Sequence, residues 1–383
     1  MKVFVGVGLG PIQTGIFLSG ASKGNFDRIV IAEVDDNIKN AINSSGGKVT
    51  VNIAADDRIY SESYDKVEVY NPMIPEERAK LVEAASVACE LATALPSVKF
   101  FGPTAEWMRE GFELTPENRR FIYTAENNNE AAEELEKAVN KSFPQTYYLN
   151  TVVGKMSGVA NSEECAEMQL EELCPGAGRG HLVEEFNNIL ISSCPGVKER
   201  GVQNLSAKND LYPFEEAKLY GHNAIHFMLG TFGKEAGKEY MSELRPMTDL
   251  IEKGRRAFID ECGAALCKKW AGVDELFTAE GFNFYAENLL ERMTNPFLKD
   301  AIDRVTRDLP RKLSWEDRVI GTIRVVLSQD VKPNILREGA LMAIREEFGN
   351  DEDTAKKALA ELWNGAPADE MKVVLDFIFK KVD

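Results

Sequence analysis

Short apolar runs alternate with amphipathic stretches through the first third of the chain. Residues 2–7 are a continuous apolar run, which predicts a strand buried on both faces. A glycine-rich turn follows at Gly6, Gly8, Gly10 and Pro11, and residues 12–18 read as a helix start. Residues 28–34, RIVIAEV, predict a second buried strand with Glu33 and Asp35 at its C-terminal end, and 36–42 the next helix. Further strands are predicted at 48–53, 67–70, 86–94 and 121–124, the last running into Ala125-Glu126-Asn127. Strands alternating with helices after this opening predict a parallel sheet.

The pattern changes after about residue 185. Gly-Pro punctuation and thiols cluster between Cys174 and Cys194, and from Phe214 onward the apolar period is helical. Residues 214–229, 247–270, 285–292 and 353–363 predict long amphipathic helices; in the last, Ala355, Ala358, Leu359 and Leu362 recur at helical spacing. The chain has 383 residues, more than one core comfortably holds. The expected architecture is α/β plus all-α. A parallel-sheet domain over residues 1–185 binds a dinucleotide, and a mostly helical substrate and catalytic domain spans 186–383.

Charge narrows the class of partner. A formal net charge of −17 repels nucleic acid and anionic lipid, so neither is an expected partner. No apolar run is long enough to span a bilayer. The first twenty residues loosely mimic a signal peptide, but Pro11, Gln13 and the turn-spaced glycines argue for a strand and turn instead. Six cysteines without a paired framework suit reduced thiols in a cytoplasm. With three histidines, no H-E-x-x-H and no C-x-x-C, no metal site is expected. Cys165, Cys174, His181 and Cys194 are too irregularly spaced to favour one.

Two stretches carry candidate chemistry. Glycines where the first strand turns into the first helix let backbone approach a pyrophosphate at a helix N-terminus. Here the literal G-x-G-x-x-G is broken by Pro11 or Gln13 at its third position, so a plain tight turn is the alternative. Glu33 lies where such folds place a ribose-binding carboxylate; it would also repel a 2′-phosphate, favouring NAD over NADP. The second stretch is residues 212–230, YPFEEAKLYGHNAIHFMLG, with Lys218, Asn223 and His226 spaced K-x4-N-x2-H. On an ideal α-helix Lys218 lies about 80° from His226 and about 140° from Asn223. A buried lysine with a lowered pKa can take a hydroxyl proton while Asn and His donate to the developing alkoxide. A surface Lys, a capping Asn and a core His would give the same letters.

The spacing Lys218-x4-Asn223-x2-His226 resembles the signature of the polyol-specific long-chain dehydrogenases, the mannitol dehydrogenase family. Residues 294–318, TNPFLKDAIDRVTRDLPRKLSWEDR, are similar to a segment of its mannitol-1-phosphate 5-dehydrogenase branch. Thr124-Ala125-Glu126-Asn127 and Leu182-Val183-Glu184-Glu185-Phe186 resemble two further family stretches. The resemblance implies a Rossmann domain, a helical domain, an active site between them, NAD as cofactor and no metal. It makes Lys218 the general base, Asn127 and Asn223 the oxyanion donors, His226 the substrate-orienting group and Glu215 a proton relay. Gly6, Gly8, Gly10, Ile12, Gln13 and Asn127 would then meet the cofactor, with Glu33 on its ribose. Two departures stand out: the broken glycine fingerprint, and Gly154-Lys155 where phosphate-using members often show Asp-Arg.

Arg307, Arg311 and Lys312 fall in a basic stretch that also holds Asp300, Asp303, Asp308 and Asp317. Such runs are usually a solvated face, but guanidinium forks also fit phosphate. The similarity of residues 309–314, LPRKLS, to phosphate-using members points to a hexitol phosphate, mannitol 1-phosphate, exchanged with fructose 6-phosphate. The alternatives are a free polyol or sugar acid, and a non-catalytic NAD-binding sensor. The expected partner is a small sugar alcohol or its phosphate, and the expected assembly a monomer or small homo-oligomer.

Overall fold

The computed structural model describes residues 1–380, which fall into two compact units, Met1–Leu211 and a second beginning at Tyr212. The first unit carries β1 (Val3–Val7), β2 (Arg28–Ala32), β3 (Val49–Ala54), β4 (Ile59–Tyr64), β5 (Val67–Tyr70) and β6 (Ala88–Thr93). It continues with β7 (Arg120–Thr124), β8 (Thr146–Val152), β9 (Ser157–Asn161), β10 (Arg179–Glu184), β11 (Ile189–Ser192) and β12 (Leu205–Lys208). Eight of these form one sheet in the order β12-β11-β8-β7-β6-β1-β2-β5. Every pairing from β5 through β8 is parallel. Strand order reverses at β1, so the chain winds outward from it in both directions. That reversal is the switch point of a Rossmann-type sheet, outside whose strand ends ligands bind.

The alternation of side chains along β1 explains why its whole run is apolar. Val3, Val5 and Val7 face a cluster with Trp107 and Phe112, and Phe4 faces another with Phe17 and Tyr123. Both faces are covered, so neither tolerates polar positions. A buried carboxylate ties the sheet to the loop before β12. Glu90 accepts from Tyr123 Oη at 2.8 Å, from Val202 N at 3.1 Å and from Gly201 N. Burial pushes its pKa up, and these three donors offset that.

Two features differ from the sequence reading. The strand expected at 48–53 forms, but it belongs to a second sheet, β4-β3-β10-β9. There it pairs antiparallel with β4 and parallel with β10. The expected boundary at 185/186 falls before β11 and β12, which join the eight-stranded sheet, and the compact units divide after Leu211. The family-like run at residues 182–186 lies largely on β10.

The second unit is helical. The helix predicted at 214–229 runs from Tyr212 to Glu235 without a break in chain direction, but its winding changes twice. Tyr212–Glu216 is α, Ala217–Asn223 is π and Ala224–Glu235 is α again. The stretch predicted at 247–270 does the same, with π winding over Ala257–Gly263. The rings of Phe258, Phe282 and Tyr285 pack edge to face at 5.5–5.8 Å beneath these turns. Among the described residues no helix is long and apolar enough to cross a membrane.

Helix Asn334–Phe348 begins after Pro333, which offers no capping side chain. Glu261 supplies the cap from another helix, accepting from Ile335 N at 2.8 Å and Leu336 N at 3.0 Å. Removing it strands two buried donors, so Glu261→Ala should cost about 2 kcal/mol in urea unfolding of the full chain. Glu261→Gln, which keeps one acceptor, should cost less. Equal stability of Glu261→Ala and the parent would show that water replaces the cap.

Candidate active site

In the first unit the turn after β1 has the shape a phosphate cradle needs. Gly8 has φ +79°, and a Cβ there would lie 3.0 Å from Ala94 O, so only glycine fits. Gly8 N donates to Ala32 O at 2.9 Å, locking the turn onto β2. A Cβ at Gly10 would meet nothing within 4 Å, which leaves that side of the turn open. Pro11 and Ile12 open the helix, where proline is pre-set for the first turn.

Gly6 and Gln13 pack against each other. Gly6 lies inside β1, and a Cβ there would collide with the Gln13 amide. Gln13 is fully buried, and neither of its amide atoms finds a partner among the described residues. Its backbone still belongs to the turn; its side chain packs on the sheet. The close helix–strand contact that the third glycine of the fingerprint makes elsewhere is made here by Gly15, whose Cβ would sit 2.7 Å from Val183 Cγ1 of β10.

Glu33 ends β2 nearly buried. Its Oε1 accepts from Asp35 N at 2.8 Å, and no hydrogen bond engages Oε2 among the described residues. Asp35 is spent on capping the next helix through Asn37 N and Ile38 N. At the end of β7, Asn127 is exposed. Its neighbour Glu126 is buried, accepts from Thr93 Oγ1 at 2.9 Å and Leu95 N at 2.8 Å, and has its pKa raised by burial. That carboxylate joins the loops after β6 and β7 and fixes the backbone on which Asn127 stands. Sequence reading noted Glu126 as the acid before Asn127 at a strand end but gave it no role of its own.

In the second unit the K-x4-N-x2-H stretch lies on the π turn. A π-helix bonds each residue to the one five positions on, so its turn is wider than an α turn. Lys218 and Asn223 have that spacing and lie closer in angle than the about 140° at which an α-helix would hold them. His226 follows on the α turn beyond. Lys218, Leu219, Asn223 and His226 are half-buried, while Tyr220, Gly221, His222, Ala224 and Ile225 among them are buried. One partly open polar face thus runs along an otherwise buried helix.

Several contacts hold the turn in this winding. Tyr285 Oη donates to Ala217 O at 3.3 Å. Glu216 accepts from Lys269 Nζ at 2.7 Å and Trp270 Nε1 at 2.8 Å. Gly221 lets Phe258 approach, since a Cβ would lie 3.1 Å from the ring. Lys218 Nζ makes no hydrogen bond among the described residues. Burial, helped by the charge of Arg318 and opposed by Glu215, lowers its pKa to about 8. Glu215, three residues earlier and half-buried, is thus within electrostatic reach of the amine.

His226 is oriented by a residue that sequence reading did not single out. Its Nε2 lies 2.9 Å from Asp300 Oδ2, off the line of a well-formed hydrogen bond. Asp300 is buried and its other oxygen accepts from Arg304 at 2.6 and 3.0 Å. Burial pushes the Asp300 pKa up, but His226 and Arg304 outweigh it and hold it low. In the sequence Asp300 looked like one of several acids balancing a basic stretch; burial separates it from them.

The three residues considered for phosphate do not converge. Lys312 is buried, donates to Val305 O at 2.8 Å and to Arg307 O, and its pKa is lowered to about 8 by burial and by Arg318 and Arg311. Arg311 pairs with Asp308 at 2.6 Å and Asp317 at 2.9 Å. Arg307 is exposed. Lys312 thus closes a helix end and Arg311 a surface ion pair. Among the described residues no three His, Cys, Asp or Glu gather as metal ligands; His181 is buried with Nδ1 2.9 Å from Thr14 Oγ1.

Comparison with known proteins meets this geometry. Residues 210–370 match the family model described as the mannitol dehydrogenase C-terminal domain. A mannitol-1-phosphate 5-dehydrogenase of Paenarthrobacter aurescens is 28% identical over 286 residues, 73% of this chain and 71% of that protein. One from an Arthrobacter species is 31% identical over 197 residues; there the chain spans about half the relative's length, 49%. Among solved structures, Pseudomonas fluorescens mannitol 2-dehydrogenase, a ternary complex with NAD and D-mannitol, aligns at TM-score 0.67 with 10% identity, over 100% of this chain and 95% of that one. The last likeness is one of fold. Residues 210–370 thus carry a mannitol dehydrogenase C-terminal domain, a domain of oxidoreductases that act on CH–OH groups.

Proposed function

We propose that this protein is an NAD-dependent polyol dehydrogenase that interconverts a hexitol phosphate and a ketose phosphate, mannitol 1-phosphate and fructose 6-phosphate, with Lys218 as the proton-transferring group. The observation that carries the reading is the Lys218 amine. It makes no hydrogen bond among the described residues, its pKa is lowered to about 8, and it is half-buried, as are Asn223 and His226. The names of the relatives supply the substrate pair.

The first unit suits a dinucleotide. The Gly8 and Gly10 turn leaves room for a pyrophosphate at the N-terminus of the helix that Pro11 and Ile12 open, with the backbone of Gln13 in that turn. Glu33 Oε2 is open to a ribose hydroxyl. Asn127 is the proposed donor of this unit to cofactor or substrate. When bound, NAD supplies the acceptor for the hydride that leaves the substrate carbon.

In oxidation neutral Lys218 takes the proton of the substrate hydroxyl as the C–H pair departs, and becomes an ammonium. Asn223 donates to the oxygen as charge develops there. His226, turned by Asp300, meets neighbouring hydroxyls and fixes which carbon faces the lysine. Glu215 passes the lysine's proton onward. In reduction the ammonium returns the proton. A free polyol or sugar acid is the second reading, because Arg311 and Lys312 are occupied by protein partners.

Initial rates followed at the NADH absorbance test the reading. Purified protein should turn over mannitol 1-phosphate with NAD and much more slowly with NADP. Silence with every hexitol phosphate, and turnover of mannitol or a sugar acid instead, would transfer the assignment to the second reading. Silence on all of these with NADH still bound would mark a sensor.

The oxidation rate should rise with pH through about 8, because only the neutral amine accepts a proton, and the reduction rate should fall over the same range. Lys218→Ala should lose on the order of 1000-fold in kcat while NADH still binds. Near-parent activity at every pH would remove Lys218 from the chemistry.

Glu33→Ser should weaken NADH binding on the order of tenfold in a fluorescence titration, and NADPH binding less, because the repulsion of a 2′-phosphate goes with the carboxylate. Unchanged affinity for both would place the ribose elsewhere.

A further inference from the structure

The family reading leaves the anionic end of the substrate without a holder, since Arg311 and Lys312 are engaged by protein. We propose that Arg318 is that holder: the terminal nitrogens of its guanidinium take a phosphate carried by the polyol, beside Lys218. The proposal rests on the polyol-oxidising reading of the Lys218 face and names its specificity-determining residue.

Two contacts bracket Arg318 and pin it to the π turn. Tyr220, two residues after Lys218, donates from Oη to Glu316 O at 3.3 Å. Gly321, three residues after Arg318, lies against the same ring, where a Cβ would be 2.6 Å from Tyr220 Cε1. A side chain at 321 would push the segment off the π turn; glycine brings it in. The charge of Arg318 accordingly reaches Lys218, His222 and Lys312, and adds to burial in lowering all three pKa values.

The guanidinium is only partly spent. Arg318 Nε donates to Asp317 Oδ1 at 2.8 Å, an oxygen that also takes the Arg318 backbone N–H at 2.6 Å. The other Asp317 oxygen takes Arg311 at 2.9 Å. One carboxylate therefore serves two arginines, and the terminal nitrogens of Arg318 carry no hydrogen bond among the described residues. The side chain is 17% exposed, so water reaches it but does not surround it. A half-enclosed guanidinium with an open edge favours an oxyanion that can accept two parallel hydrogen bonds. Arg292 contributes a second positive charge near His222.

The test compares mannitol 1-phosphate with free mannitol, and titrates inorganic phosphate into the full chain by calorimetry, for the parent, Arg318→Gln, Arg318→Lys and Arg307→Ala. Arg318→Gln should lower kcat/KM for the phosphate ester on the order of 100-fold, mainly through KM, and change that for mannitol only a few-fold. It should also abolish phosphate binding. Arg318→Lys, which keeps the charge but not the fork, should recover part of both. Equal losses on ester and free polyol, or the ester-specific loss in Arg307→Ala instead, would overturn the proposal. If the parent turns over no hexitol phosphate, the calorimetry separates the two ideas. Phosphate binding that needs Arg318 keeps the anion site and discards the substrate reading, and a parent that binds no phosphate discards Arg318 as its anchor.

Discussion

The candidate site in the second unit depends on one departure from α winding, the π turn over Ala217–Asn223. A hydrogen bond to the fifth residue instead of the fourth is the weaker choice for a free helix. It persists here because the surroundings fix it. Tyr285 satisfies the carbonyl of Ala217, Glu216 is tied to Lys269 and Trp270, and Gly221 and Gly263 admit the rings of Phe258 and Phe282. What the turn gains is registry: its wider winding brings Lys218 and Asn223, five apart, closer to one face. A straight α-helix with the same sequence would hold the two side chains about 140° apart.

Buried carboxylates recur wherever irregular backbone must be held. Glu90 ties the loop before β12 to β6, Glu126 joins the loops after β6 and β7, Glu261 caps a helix that begins after proline, and Asp300 turns His226. For the three glutamates, burial raises the pKa, so each depends on its donors to remain an acceptor. The abundant surface acids make these few hard to pick out by composition. They are identified by what they accept from.

The phosphate question shows how charge in a sequence is redistributed by folding. Read along the chain, residues 304–318 are a basic stretch with balancing acids. In space Arg304 serves Asp300, Arg311 bridges Asp308 and Asp317, and Lys312 closes a helix end. Arg307 stays exposed, and Arg318, the last of the series, is held at the π turn by Gly321 and Tyr220 with its terminal nitrogens free of hydrogen bonds among the described residues.

The sequence by itself determined the parts that local chemistry controls. The buried strands at β1, β2 and β7, the helical second half, the glycine turn, Glu33 and the K-x4-N-x2-H stretch could all be read from period and residue type, because burial on two faces and backbone freedom leave direct marks on composition. Tertiary structure decided what depends on partners distant in the chain. It sent the 49–54 strand to a second sheet with β10, and it moved the boundary between the units past β11 and β12. It also gave Gly6 and Gln13 to packing and Gly15 to the helix–strand contact. Winding is the sharpest case: α and π turns have the same side-chain pattern over seven residues, and only the aromatic floor and the glycines facing it select between them.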